Sequence, residues 1–127
     1  MGSGQMRYWS LCQNESIATT RGAGCLFDEQ VPLDEDRWYT IVTSRREDRP
    51  DNARRSCGVG FIPWSKNGDG EGHLDDGLLL LRNMLPSSGF HRAVQNTAVP
   101  GDEEQVMGDY LPQTEYTSTD EFENRGC

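Results

Sequence analysis

The sequence predicts a mainly β chain, an antiparallel β-sandwich with one or two short helices toward its C-terminus. Three observations predict it. Aromatic and β-branched residues gather into short runs bounded by Gly, Pro, Asn and Asp, the pattern of strands and turns. At 127 residues the chain has the length of one domain. Hydrophobic residues are only 34% and mean hydropathy is −0.76, so a core has to lean on large rings and cross-links. Three Trp, four Tyr and four Phe set the chain apart from a disordered acidic segment.

Charge and apolar run length exclude two classes. Twelve basic residues face 21 acidic ones, a net charge of −9, and a chain this acidic repels nucleic-acid phosphates. The longest apolar run, Leu78 to Leu81, is far shorter than the ~20 residues of a membrane span.

In chain order, residues 1–5 form a short flexible Gly/Ser lead without the apolar stretch of a signal peptide, so an export signal is expected upstream. Met6 to Cys12 reads as the first strand, Asn14 to Gly24 as a polar connection, and Gly24 to Phe27 as a second strand. Pro32 with Asp34-Glu35-Asp36 marks a turn. Arg37 to Thr43, apolar on both faces, predicts a central strand. Arg45 to Arg55 holds five Arg among three acids, and its nearly cancelling signs favour a solvated loop over an anion patch. Gly58 to Trp64 is a strand closed by Pro63. Gly77 to Leu85, bounded by Pro86, has strand length and reads as a buried strand. Phe90 and Val94, with Ser87 or Ser88 to cap and Asn96 to stop, predict a short helix. Pro100 to Pro112 is expected as an ordered loop. Ser118-Thr119-Asp120-Glu121 matches a capping box before Phe122. The organisation is thus a lead at 1–5, a β-sandwich domain at 6–116, and a tail at 117–127 with a short helical turn.

Four cysteines allow three pairings. Cys12 ends one strand-like run and Cys25 begins the next, which favours a bridge across neighbouring strands. Cys57 and Cys127 would then form a longer closure. The alternative is four reduced thiols in a cytosolic protein; the small, core-poor chain favours oxidation and export.

Candidate chemistry is sparse. Asn67, Asp69, Glu71 and Asp75 place oxygen donors along a Gly-rich loop, in the manner of an EF-hand calcium site. Leu78 stands where that loop needs a bidentate Glu, and strands replace the flanking helices, so a polar hairpin loop competes with calcium binding. Trp64, Tyr8 and Trp38, with Trp9 and Tyr39, offer rings for stacking on a glycan or another small molecule. Core burial is the competing role for most of them, and Trp64, beside the polar loop, is the ring expected to be exposed. Asn14-Glu15-Ser16 fits a glycosylation sequon. There is no G-x-S-x-G nucleophile elbow, and no spacing that pairs a Cys with His73 or His91. A hydrolase would have to draw its carboxylates from several loops.

Three groups of segments carry a resemblance: Arg7 to Glu15; Val31-Pro32-Leu33-Asp34 with Trp38 to Val42; and Phe61 to Trp64 with Asp76 to Pro86. In this order they resemble the C-terminal domain of a group of uncharacterised exported bacterial proteins, and are more distantly similar to the DUF1214 jelly-roll-like domain. Val106 to Gln113 extends the likeness. The resemblance implies a jelly-roll-like sandwich, export, and a Cys12–Cys25 bridge, and it transfers no catalytic residue. This chain departs from that pattern at Thr117, where a cysteine is expected, and at Gly68 to His73, an extra polar insertion.

The function expected from the sequence is a non-enzymatic accessory or ligand-binding module of an exported protein. The alternatives are a hydrolase-type enzyme and a calcium-stabilised interaction module.

Overall fold

The computed structural model describes residues 6–19 and 21–127; the lead at 1–5 and Thr20 of the first connection lie outside the described residues. The chain's regular structure is mostly strand, with few short helices. Its strands are β1 (Met6–Asn14), β2 (Gly22–Phe27), β3 (Thr40–Ser44), β4 (Val59–Pro63) and β5 (Leu78–Pro86). The helices are α1 (Glu103–Met107) and α2 (Thr119–Glu123). One sheet has the order β2–β1–β5 and the other pairs β3 with β4.

β1 and β2 are antiparallel, with Cys12 directly opposite Cys25 and bonded to it. Leu11 pairs with Leu26 in the same ladder. The register shifts after Gln13: Gln13 faces Gly24 and Asn14 faces Gly22, leaving Ala23 as the extra residue of a bulge.

The second sheet differs from the antiparallel arrangement the sequence predicts. β3 and β4 run parallel, from Thr40↔Val59 to Ser44↔Pro63. A parallel pair needs a crossover of roughly a dozen residues or more, and residues 45–58 supply it. Two of its arginines, Arg49 and Arg55, help to fix that crossover. Arg49 Nε donates to Ala53 O at 2.8 Å, and its guanidinium lies 4.3 Å from the Phe61 ring centroid. Arg55 donates to Gln30 O at 2.7 Å. β2 also packs on β4. A Cβ at Gly60 would sit 2.9 Å from Leu26 Cδ1 and 3.3 Å from Ile41 Cγ1, so a side chain there would push both neighbours aside.

Three other expectations change. The strand expected over Arg37 to Thr43 starts later, at Thr40, and belongs to a two-stranded sheet instead of a central position. Trp38 is held back in a turn closed onto Asp34, with Arg37 at φ 69°. β5 is an edge strand with Leu79, Met84 and Leu85 exposed, so its apolar run is not a buried strand. The helix expected at Phe90 to Val94 is absent; a 3-10 turn at Val94–Asn96 takes its place, and α1 forms within the segment expected as a loop. Asn96 Nδ2 donates to His91 O at 3.0 Å and reaches Phe90 O at 3.4 Å, occupying carbonyls that a helix would use.

The chain divides into two compact units. In the unit of residues 6–9 with Arg82–Tyr116, Phe90, Ala93 and Met107 are buried, and Phe90 meets Tyr110 edge-on at 4.8 Å. In the unit of Ser10–Leu81 with Thr117–Cys127, Val31, Ala53, Ile62 and Phe122 are buried. Segment 117–127 is thus an integral part of its unit. Ser118 caps α2 through the capping box read from the sequence, its Oγ accepting from Glu121 N at 3.2 Å. Asn52 Nδ2 donates to Phe122 O at 2.9 Å and Gly126 O at 2.8 Å, and Cys57–Cys127 locks the end of the chain.

The two disulfides span 13 and 70 residues. Loop-closure entropy assigns them roughly 3 and roughly 4 kcal/mol. In urea unfolding, the Cys57→Ser/Cys127→Ser double variant is expected to lose more stability than Cys12→Ser/Cys25→Ser. Equal losses would show that restriction of the unfolded chain is not the main term.

Candidate functional site

The polar insertion between β4 and β5 is assembled on a buried polar anchor. Glu15, just beyond the bulged end of β1, donates its backbone N–H to Arg21 O at 2.8 Å, and the residue is only 3% exposed. Its Oε1 accepts from Ser65 Oγ at 2.9 Å and lies 3.4 Å from Asn67 Nδ2. Its Oε2 makes no hydrogen bond; Arg21 Nη1 is 3.8 Å away. Gln13, fully buried, accepts from Ser65 N at 3.1 Å through its own amide oxygen. These contacts tie the start of the loop to the end of β1. Buried polar groups need such partners, since leaving one unpaired costs roughly 1–3 kcal/mol.

From this anchor the loop folds back on itself. His73 O accepts from both Asp69 N and Asp76 N, each at 3.2 Å. Asp69 Oδ1 accepts from Glu71 N at 2.7 Å and His73 N at 3.1 Å, while its Oδ2 lies 2.6 Å from His73 Nδ1. Gly68 makes the tight return possible. Its φ is 59°, and a Cβ there would fall 2.0 Å from His73 O. Because β4 pairs with β3, this loop is not the turn of a hairpin but a connection between sheets.

The Asp69–His73 pair sets the local electrostatics. The hydrogen bond to the Asp69 carboxylate, together with its charge, raises the His73 pKa above its ordinary value. The Asp69 carboxyl is held below its usual range, first by the Glu71 backbone N–H and then by His73. Arg45, at the end of β3, donates to Asp75 Oδ1 and Leu74 O at 2.8 Å each.

Three of the four oxygen donors read as a calcium set are therefore engaged elsewhere. Asn67 turns toward Glu15, Asp75 pairs with Arg45, and Asp69 gathers the Glu71 and His73 backbone. Among the described residues, the side chains whose donor atoms converge are Asp69, His73 and Asp76, all within 4.8 Å of one another. Sequence reasoning passed over His73, Asp76 and Glu15. The Asp-x3-His-x2-Asp spacing was a usable signal, whereas nothing local announced Glu15, whose partners lie some 50 residues away.

The candidate rings do not share one environment. Tyr8 and Trp64 are half-buried, and Trp64 lies over Gly77, where a Cβ would stand 2.7 Å from Cζ2. Trp38 is the exposed ring, at 54%, in place of Trp64. Asn14 of the sequon is half-buried within β1. No protein-family model, characterised protein or solved structure matches this chain. Among the described residues, no helix is long and apolar enough to cross a membrane.

Two outcomes are expected. By NMR, His73 should titrate above the ordinary value of about 6.5, and Asp69→Asn should return it toward that value. The raised His73 pKa stabilises the fold below its unfolded value and loses this as pH rises through the folded one. The lowered Asp69 pKa stabilises above its unfolded 3.8 and loses this as pH falls through the folded one, so the Asp69→Asn deficit should be greatest between those limits. Gly68→Ala should destabilise by more than about 1 kcal/mol in chemical denaturation, because it combines a left-handed backbone with a backbone clash.

Proposed function

We propose that this chain is a non-enzymatic, exported β module that binds a neutral glycan through Trp38. The observation that carries the reading is an exposed indole on a backbone-locked turn. Trp38 N donates to Asp34 Oδ1 at 2.8 Å, Asp34 N donates to Trp38 O at 2.8 Å, and Arg37 N donates to Asp34 O at 3.0 Å. Leu33, also exposed, lies on the same turn. A large rigid ring on a fixed backbone loses little freedom when a ligand stacks on it. The apolar CH face of a pyranose is the natural complement to such a ring. The net charge of −9 selects against anionic ligands, which is why the glycan is taken as neutral.

Export is supported by the two disulfides, which persist in oxidising compartments. The resemblance to exported bacterial domains supports it as well. The packing of β2 on β4 fits a small sandwich of the jelly-roll-like kind, with β1 and β5 extending one layer.

The test is titration with a panel of neutral oligosaccharides, followed by tryptophan fluorescence and NMR shifts. Saturable binding is expected to perturb the Trp38 indole resonance. Trp38→Ala should weaken binding about tenfold or more, roughly 1.4 kcal/mol. Binding that survives Trp38→Ala, or a panel with no binder, removes the proposal.

A further inference from the structure

The loop that follows β4 carries a second kind of site, remote in sequence from the Trp38 turn and independent of it. We propose that Asp69, His73 and Asp76 form a binding site for a divalent transition-metal ion of the zinc class. Their donor atoms lie within 4.8 Å of one another. Ligands at ~2.0–2.2 Å from a shared ion stand roughly 3–4 Å apart, so closing on the ion requires only small side-chain movements. Asp76 is exposed and the His73 side chain is 66% exposed, so both have room to make them, the ion taking the place of the hydrogen bond between His73 and Asp69.

The backbone holds the three residues together without help from an ion. Asp69 and Asp76 both donate their N–H groups to the carbonyl of His73, the third donor residue. The Asp69 carboxylate is oriented by two backbone N–H groups on Oδ1, which leaves Oδ2 facing the imidazole. One imidazole and two carboxylates constitute an open three-residue set, with the remaining positions left to water or a further ligand. Imidazole shifts preference away from calcium and magnesium, which take oxygen donors, toward zinc and its neighbours.

The charge around the loop is negative as well. Glu15 is 3% exposed, and its Oε2 has no hydrogen bond. It faces Gly70, the residue between Asp69 and Glu71, and a Cβ on Gly70 would lie 2.9 Å from that oxygen. Residues 67–76 also contain Asp69, Glu71, Asp75 and Asp76, of which Arg45 neutralises Asp75. The loop thus combines an incompletely compensated buried carboxylate with surplus negative charge on its surface. The surplus charge on the loop's surface favours a bound cation.

The test uses the full chain with both disulfides intact, stripped with EDTA and titrated with Zn2+ by calorimetry. One equivalent should bind, and the His73 imidazole nitrogens should shift in NMR spectra. With Co2+ in place of Zn2+, visible absorption bands should report nitrogen and oxygen coordination. His73→Ala and Asp76→Asn, both changes at exposed side chains, should weaken binding about tenfold or more. His91→Ala, outside this loop, should bind as the parent chain does. Far-UV circular dichroism of each variant confirms that the fold is retained. Absence of saturable binding below millimolar Zn2+ overturns the proposal, as does unchanged binding by His73→Ala. So does Ca2+ displacing Zn2+ at equal concentration, which would return the loop to an oxygen-donor site built on Asn67, Asp69, Glu71 and Asp75.

Discussion

The cross-link between Cys57 and Cys127 answers the constraint that governs this molecule, a shortage of apolar mass. Among the described residues, the four largest side chains that are completely buried are the apolar Ile62 and Met107 and the polar Gln13 and Ser10. A core so divided gains less from water exclusion than one filled with aliphatic groups. Restricting the unfolded chain supplies what burial does not, and it does so most effectively over a long span. Cys127 closes 70 residues, and this holds α2 where Phe122 is buried and Asn52 can bond to Phe122 and Gly126. Here sulfur fixes the frame and polar contacts complete it.

Polar burial then determines local form. Gln13 and Glu15 flank the half-buried Asn14, and both contact Ser65, through its backbone N–H and its hydroxyl respectively. The bulge opposite Gln13 and Asn14 changes the course of the strand just before Glu15. Once Ser65 is fixed, the next residues must reverse within a short distance, which demands the left-handed geometry of Gly68. The arrangement of Asp69, His73 and Asp76 therefore descends from a strand irregularity more than 50 residues upstream. That is a constraint of topology, with composition playing a smaller part.

Legibility in the sequence followed the range of the interactions. Local signals were sufficient for the capping box at Ser118, the extended runs of β1, β2, β4 and β5, and the facing cysteines 12 and 25. They failed where distant partners decide. Parallel pairing of β3 with β4 depends on the crossover being fixed by Arg49 on Phe61 and Asn52 on the final residues, none of which a local window contains. The Leu-rich run gave strand correctly but not its place at a sheet edge, because period and length are silent about neighbours. Asn96 looked like a helix stop. Its side chain instead bonds to the carbonyls of His91 and Phe90, within the very segment expected to be helical.

The same contrast between local and distant control explains why the candidate loop is electrostatically poised. Arg45 and Asp75 meet at 2.8 Å, but Asp75 is almost fully solvated, so the pair adds little stability. Glu15 is the opposite case. Its carboxylate is removed from water, one oxygen is bonded to Ser65, and the other has only Arg21 at 3.8 Å, on a side chain largely in solvent. Charge inside protein interacts more strongly with its surroundings than charge at the surface. The contacts of Glu15 are therefore screened poorly by salt, whereas the exposed carboxylates are screened readily. The residue that anchors the loop is thus held by buried contacts, while the loop's own charges lie at its solvated surface.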